Sequence, residues 1–142
     1  MTAEGGAALH LDLQMVVVPV ADVDRAKAFY EKAGFALDVD HDAGPFRVVQ
    51  FTPPGSACSI SFGRGMGFDM PSGVLRGLHL VATDVVAARD ELVARGIEVG
   101  EVYHYTRDGQ RAPGPDPDHG RFQTCAEFSD PDGNGWVLQE VP

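Results

Sequence analysis

Pro19–Phe35, PVADVDRAKAFYEKAGF, lies over Val81–Ile97, VATDVVAARDELVARGI, at a shift of 62 residues, from 19 to 81. At that shift Asp22 meets Asp84, Val23 meets Val85, Ala26 meets Ala88 and Gly34 meets Gly96. Each aspartate is suited to cap a helix, because its carboxylate accepts an N–H of the first turn that has no partner within the helix. Apolar residues then recur at helical spacing: Val23, Ala26, Phe29, Tyr30 and Ala33 in the first stretch, Val85, Ala88, Leu92 and Val93 in the second. Each stretch ends at a glycine, where the left-handed backbone that closes a helix costs least.

The flanks repeat as well. Leu11–Val20 and Leu75–Ala82 precede the two helices and are rich in β-branched residues, the mark of a buried strand. Phe35–Asp40, Phe46–Thr52 and Cys58–Phe62 read as three short strands after the first helix, and Ile97–Tyr105, Arg121–Phe128 and Gly135–Val141 play the same parts after the second. Asp130-Pro131-Asp132-Gly133 is a turn before the last of them. Thr106–Gly120, with prolines at 113, 115 and 117, is expected to be irregular. The fold class is therefore α+β: two βαβββ modules, 9–63 and 75–141, joined by the linker 64–74, which takes in most of the glycine-rich run GRGMGFDMPSG (63–73), into one domain over 1–142. Neither half is large enough for a strong core of its own.

Composition narrows the partners. The 142 residues carry 11 Lys+Arg against 21 Asp+Glu, a net charge of −10, which leaves no basic footprint for nucleic acid or an anionic membrane. A 44% apolar content with 23% charged residues is ordinary for a globular chain. No apolar run approaches the roughly 18 residues of a membrane span, and MTAEGGAALHLDL lacks the basic start and long apolar stretch of a secretory leader. Two cysteines make no disulfide framework, so a reduced, cytoplasmic protein is expected. Gly63–Gly67 is no phosphate loop, lacking the Lys-Ser/Thr that would follow it.

The doubled strand–helix–three-strand unit, with PVADVDRAKAFYEKAGF in the first half and FSDPDGNGWVLQE at the end, resembles the vicinal oxygen chelate superfamily over about Leu9 to Val141. That family includes glyoxalase I, extradiol dioxygenases and the bleomycin-resistance binding proteins. The resemblance implies curved sheets around a cup-shaped pocket. In the metal-dependent members four side chains in the cup hold a divalent ion: seven residues before each helix-opening aspartate, and on the last strand of each half. Carried over, those positions are Met15, Gly77, Val137 and Ser59. A divalent ion takes nitrogen and oxygen ligands at about 2.0–2.2 Å, which a thioether, a hydrogen, an isopropyl group and a hydroxyl do not supply. No metal and no cofactor are expected. The sequestering members also imply a homodimer with grooves between chains.

Period-two alternation puts Leu13, Met15, Val17, Ser59, Ser61, Gly77, His79, Val81, Val137 and Gln139 toward the cup. This is an apolar wall with a few polar groups, the make-up of a small-molecule pocket. The expected ligand-binding set is Met15, Val17, Ser59, Ser61, His79, Val137 and Gln139. His79 is the candidate general base or hydrogen-bond donor, unless a neighbouring carbonyl simply holds it. Gln139 orients a ligand rather than reacting. Glu140, out of phase with Val137, is expected to be a solvated carboxylate. Tyr103, His104 and Tyr105 form an aromatic lip or an exposed strand end. His119 is a loop histidine that closes over a ligand only if the loop is a lid. Met66, Phe68 and Met70 form an apolar rim, a dimer contact or a linker anchor. Cys58 and Cys125 are buried thiols away from the cup face, and Trp136 packs under a helix. The function expected is small-molecule binding, as in the bleomycin-resistance proteins, or metal-independent acid–base chemistry. The alternative is a metal-dependent isomerase, thiol transferase or extradiol dioxygenase.

Overall fold

The computed structural model describes residues 8–142; residues 1–7, which belong to the stretch read as lacking a leader, lie outside the described residues. The capping aspartates act as expected. Asp22 accepts from the Arg25 N–H at 3.0 Å and opens α1 (Val23–Lys32), and Asp84 accepts from the Ala87 N–H at 3.1 Å and opens α2 (Val85–Ala94). Gly34 and Gly96 sit at φ +93° and +90°, the left-handed region in which an L side chain is strained.

The strands of the first module are β1 (Met15–Val17), β2 (Ala36–Asp42), β3 (Arg47–Thr52) and β4 (Ser59–Arg64); those of the second are β5 (Leu78–Ala82), β6 (Tyr103–Tyr105), β7 (Arg111–Pro113), β8 (Thr124–Ser129) and β9 (Gly135–Glu140). They make two open sheets, ordered β1-β4-β3-β2 and β5-β9-β8-β6-β7, in which β1 runs parallel to β4 and β5 parallel to β9. Three local expectations are corrected. Leu11–Leu13 and Val18–Val20 do not extend β1, and Leu9, Leu11 and Leu13 stand exposed. The loop read as irregular contains β7, because a turn at Gly109 (φ +78°) folds it back on β6; Pro113 is tolerated there since an edge strand can spare an N–H. Ile97–Val102 is not laddered, and Arg89 donates to the Gly100 and Val99 carbonyls instead.

Both sheets bury the face that the helices cover. Val49, Phe51, Ile60 and Phe62 of the first sheet share one core with Phe128, Trp136 and Leu138 of the second, around Tyr30 and Val85 of the helices. Of the expected helix stripes only Val93 fails, standing 46% exposed, since at about 100° per residue it falls well off the line through Val85, Ala88 and Leu92. The modules therefore join through their helix-covered faces, and the opposite face of each sheet is open.

Tyr30 is the pin of that joint. Its hydroxyl is fully buried, donates to Asp130 Oδ2 at 2.9 Å and accepts from Trp136 Nε1 at 3.0 Å. Burial, with the Asp130 carboxylate beside it, pushes the phenol far above its ordinary range, so it stays protonated. Trp136 thus packs under a helix as expected. Tyr30→Phe leaves a buried indole N–H without an acceptor, so it should lower stability by about 1–3 kcal/mol; urea unfolding should show a lower midpoint at unchanged slope.

Candidate functional site

The open face of the first sheet is set by register. Met15 and Val17 lie opposite Ser59 and Ser61, and Gln50 lies opposite Ser61 on the next strand. Ile60 and Phe62 point into the core, so both serines point away from it. On the second sheet His79, Val137 and Glu127 form one cross-strand row, and Val81, Gln139, Cys125 and Tyr103 the next. All seven residues read as ligand-contacting take the phase that points away from the core, in two groups, one per sheet, but Ser59 and Ser61 are buried there. Met15 is 37% exposed and Val81 65%, far more than core apolar residues tolerate.

His79 Nδ1 lies 2.7 Å from the Gly77 carbonyl oxygen. Since a carbonyl only accepts, Nδ1 carries a proton, and in the neutral ring Nε2 is left as a lone-pair acceptor. Gln139 Nε2 donates to the Phe122 carbonyl at 3.1 Å, so the amide holds the loop with its nitrogen and its oxygen makes no hydrogen bond among the described residues. A cleft of about 400 Å³ opens beside Gly77, Val137, Glu127, Ser129 and Arg76. Along its margin Arg111 lies 4.2 Å above the Tyr103 ring and donates to Glu127 at 3.1 Å, while the Tyr103 hydroxyl donates to the same carboxylate. Desolvation and Glu127 together push the Tyr103 phenol well up from its usual range. Tyr103 and Tyr105 meet edge to face as a half-buried lip, whereas His104 turns to the Gly114 carbonyl.

The four positions of the implied metal can be tested against this register. Val17, 62 residues before His79, pairs with Ser61, as His79 pairs with Val137. The counterpart of Val137 is therefore Ser61 rather than Ser59, two residues along on the same face. Either way the set is a thioether, a hydrogen, an isopropyl group and a hydroxyl, which does not fit a divalent ion. Among the described residues no group of three or more His, Cys, Asp or Glu side chains is placed to hold one.

The profile of the Glyoxalase/Bleomycin resistance protein/Dioxygenase superfamily matches residues 12–138. The chain belongs to that superfamily. TnmS3, an antibiotic binding protein from Streptomyces sp. CB03234, is 33% identical, aligns over 96% of this chain and 100% of its own, and superposes with a TM-score of 0.71. A glyoxalase/bleomycin resistance protein from the same organism is 34% identical over 91% and 100% of the two chains, at 0.68. A superfamily member from Sphaerobacter thermophilus DSM 20745 is 25% identical over 93% and 98%, at 0.69. No curated protein sequence matches the chain.

Several side chains of this superfamily member stand where the sequence did not put them. Glu140 faces the helix side, as its phase implied, but it is buried and not solvated: Oε1 accepts from the Val85 N–H at 3.0 Å and Oε2 pairs with His119 Nδ1 at 3.0 Å. The N-terminus of α2 accounts for this, since its free N–H groups welcome a carboxylate. Cys125 lies on the open-face side of β8, under Tyr103, because Ala126 and Phe128 take the core phase; burial pushes its thiol pKa up. Glu127 was legible in the same alternation. His119 and Phe122, at φ +49° and +69°, hold left-handed backbone that neither residue favours, tied down by Glu140 and Gln139.

The hydrogen bond to Glu140 raises the His119 pKa above 6.5, with the carboxylates of Glu140, Asp116 and Asp84 acting the same way against some desolvation. A group whose folded pKa is raised contributes fully below its unfolded value and loses that contribution as pH rises through the folded one. The loop tether is thus strongest in mild acid and weakens on the alkaline side. An NMR titration should place the His119 midpoint above 6.5, and Glu140→Gln should return it toward 6.5.

Proposed function

We propose that this protein binds a small, largely apolar organic molecule on its open sheet faces, without a metal ion and as a homodimer. The observation that carries the reading is the make-up of those faces: Met15, Val17, Val81 and Val137 form apolar walls, and His79, Gln139 and Ser61 are spaced among them. Antibiotic binding by TnmS3 supports it, at 33% identity over nearly the whole chain. The poor fit of the four implied metal positions favours recognition by shape and hydrogen bonds. His79 contributes a hydrogen bond through Nε2, or serves as the base if the bound molecule has an acidic proton within its reach. The two cysteines are unpaired, in keeping with a reducing, cytoplasmic setting, and no helix among the described residues is long and apolar enough to cross a membrane.

The dimer rests on exposed apolar surface. Leu9, Leu11, Leu13 and Val81 are the exposed apolar side chains that a second copy would cover.

Light scattering should give a mass twice 15.2 kDa, and Val81→Asp with Leu13→Asp should shift it toward the monomer. Calorimetry with bleomycin should find saturable binding, weakened about tenfold by His79→Ala. Turnover of a bound compound that His79→Ala abolishes would make the protein an enzyme. Stoichiometric Ni, Zn, Fe or Mn kept through chelator treatment would overturn the metal-free reading.

A further inference from the structure

Three aspartates, Asp38, Asp40 and Asp42, lie two apart on β2, and strict alternation would send all three to one face. Asp40 is gripped by Arg47 through two bonds of 3.0 Å and by Lys27 at 2.9 Å, and Asp42 pairs with Arg64 at 2.9 Å. Asp38 differs. The pairing of β2 with β3 slips between Leu37 and Val39, and this bulge turns the Asp38 carboxylate to the open face, where Thr52 and Gln50 lie. Its side-chain partners are neutral donors, the Thr52 hydroxyl and, at 3.5 Å, the Gln50 amide.

Proton bookkeeping decides what this strip offers. The Thr52 hydroxyl donates to Asp38 and so spends its one proton there. The Ser59 hydroxyl, 2.7 Å from Thr52 Oγ1, must then donate to Thr52 and is left with lone pairs only. Beside it on the same face, between Val17 and Gln50, Ser61 is fully buried and its hydroxyl has no hydrogen-bond partner. An unpaired buried hydroxyl is costly unless something bonds it. The strip presents a carboxylate, acceptor oxygens and one unsatisfied hydroxyl.

We propose that Asp38, Ser59 and Ser61 form a subsite for a protonated amine carried by the ligand, with the apolar remainder of the molecule against Met15 and Val17. The proposal rests on the small-molecule-binding reading above and narrows it to cationic amines. A net charge of −10 concentrates such ligands near the protein.

The test uses three probes of one shape on the full chain: 1-(aminomethyl)naphthalene, 1-naphthalenemethanol and 1-naphthoate, titrated by NMR. The amine should bind about tenfold tighter than the alcohol and move the amides of Asp38, Gln50 and Ser61, while the naphthoate binds most weakly. Asp38→Asn should erase the preference for the amine. Ser61→Ala should weaken amine binding without lowering the melting temperature, since it removes a hydroxyl the fold does not use. Equal binding of amine and alcohol, or a preference that survives Asp38→Asn, overturns the subsite while leaving the pocket standing. Failure of all three probes at millimolar concentration overturns the pocket reading and the subsite with it.

Discussion

The hydroxyl of Tyr30 is fully buried, and an oxygen so placed must find its partners within the protein. It finds them 100 and 106 residues away, in Asp130 and Trp136. Asp130 is in turn saturated: Oδ1 accepts the N–H groups of Asp132 and Asn134, and Oδ2 accepts Tyr30 and the Asn134 amide. Asn134 also reaches the Pro19 carbonyl, and Asp132 accepts from the Ala21 N–H and from Arg25. The turn before the last strand of the second module therefore clasps the start of the first module's helix. That clasp commits the helix-covered faces to one core and turns the other two faces outward.

The two open faces share a fold and little else. The first carries an acceptor-rich strip of hydroxyls and a carboxylate, whereas the second carries an imidazole, an amide and a Tyr–Arg–Glu cluster with a stacked guanidinium. Duplication copied the scaffold, and the face that packs against the helices kept its apolar phase in both copies. Membership of a superfamily that spans isomerases, transferases, oxygenases and binding proteins accordingly says little about reaction, since chemistry lives in the site.

What the sequence disclosed follows from which signals are local. Asp22, Asp84 and the helical stripes were legible because capping and 3.6-residue periodicity are properties of short stretches. The open-face positions of Met15, Ser59, His79 and Val137 were legible because alternation holds along an unbroken strand. It fails where a strand is broken: the slip between Leu37 and Val39 puts Ala36, Leu37 and Asp38 out of phase with Asp40, His41 and Asp42, and nothing in ALDVDHD marks the place. Glu140 was hidden for another reason. Its burial depends on the N-terminus of α2 and on His119, two elements that only the fold brings to it. β7 was hidden by its proline and by neighbours that read as loop, though an edge strand accepts both.

The exposed side chains of the open faces contribute almost nothing to the core, and this loosens what selection asks of them. His79 and Met15 are exposed, and replacing such side chains usually changes stability by no more than about 0.5 kcal/mol. A face of this kind can be rewritten residue by residue while the Tyr30 clasp keeps the chain folded. Ligand preference can then drift without passing through unfolded intermediates, which makes the scaffold a ready starting point for new specificities and for engineered ones.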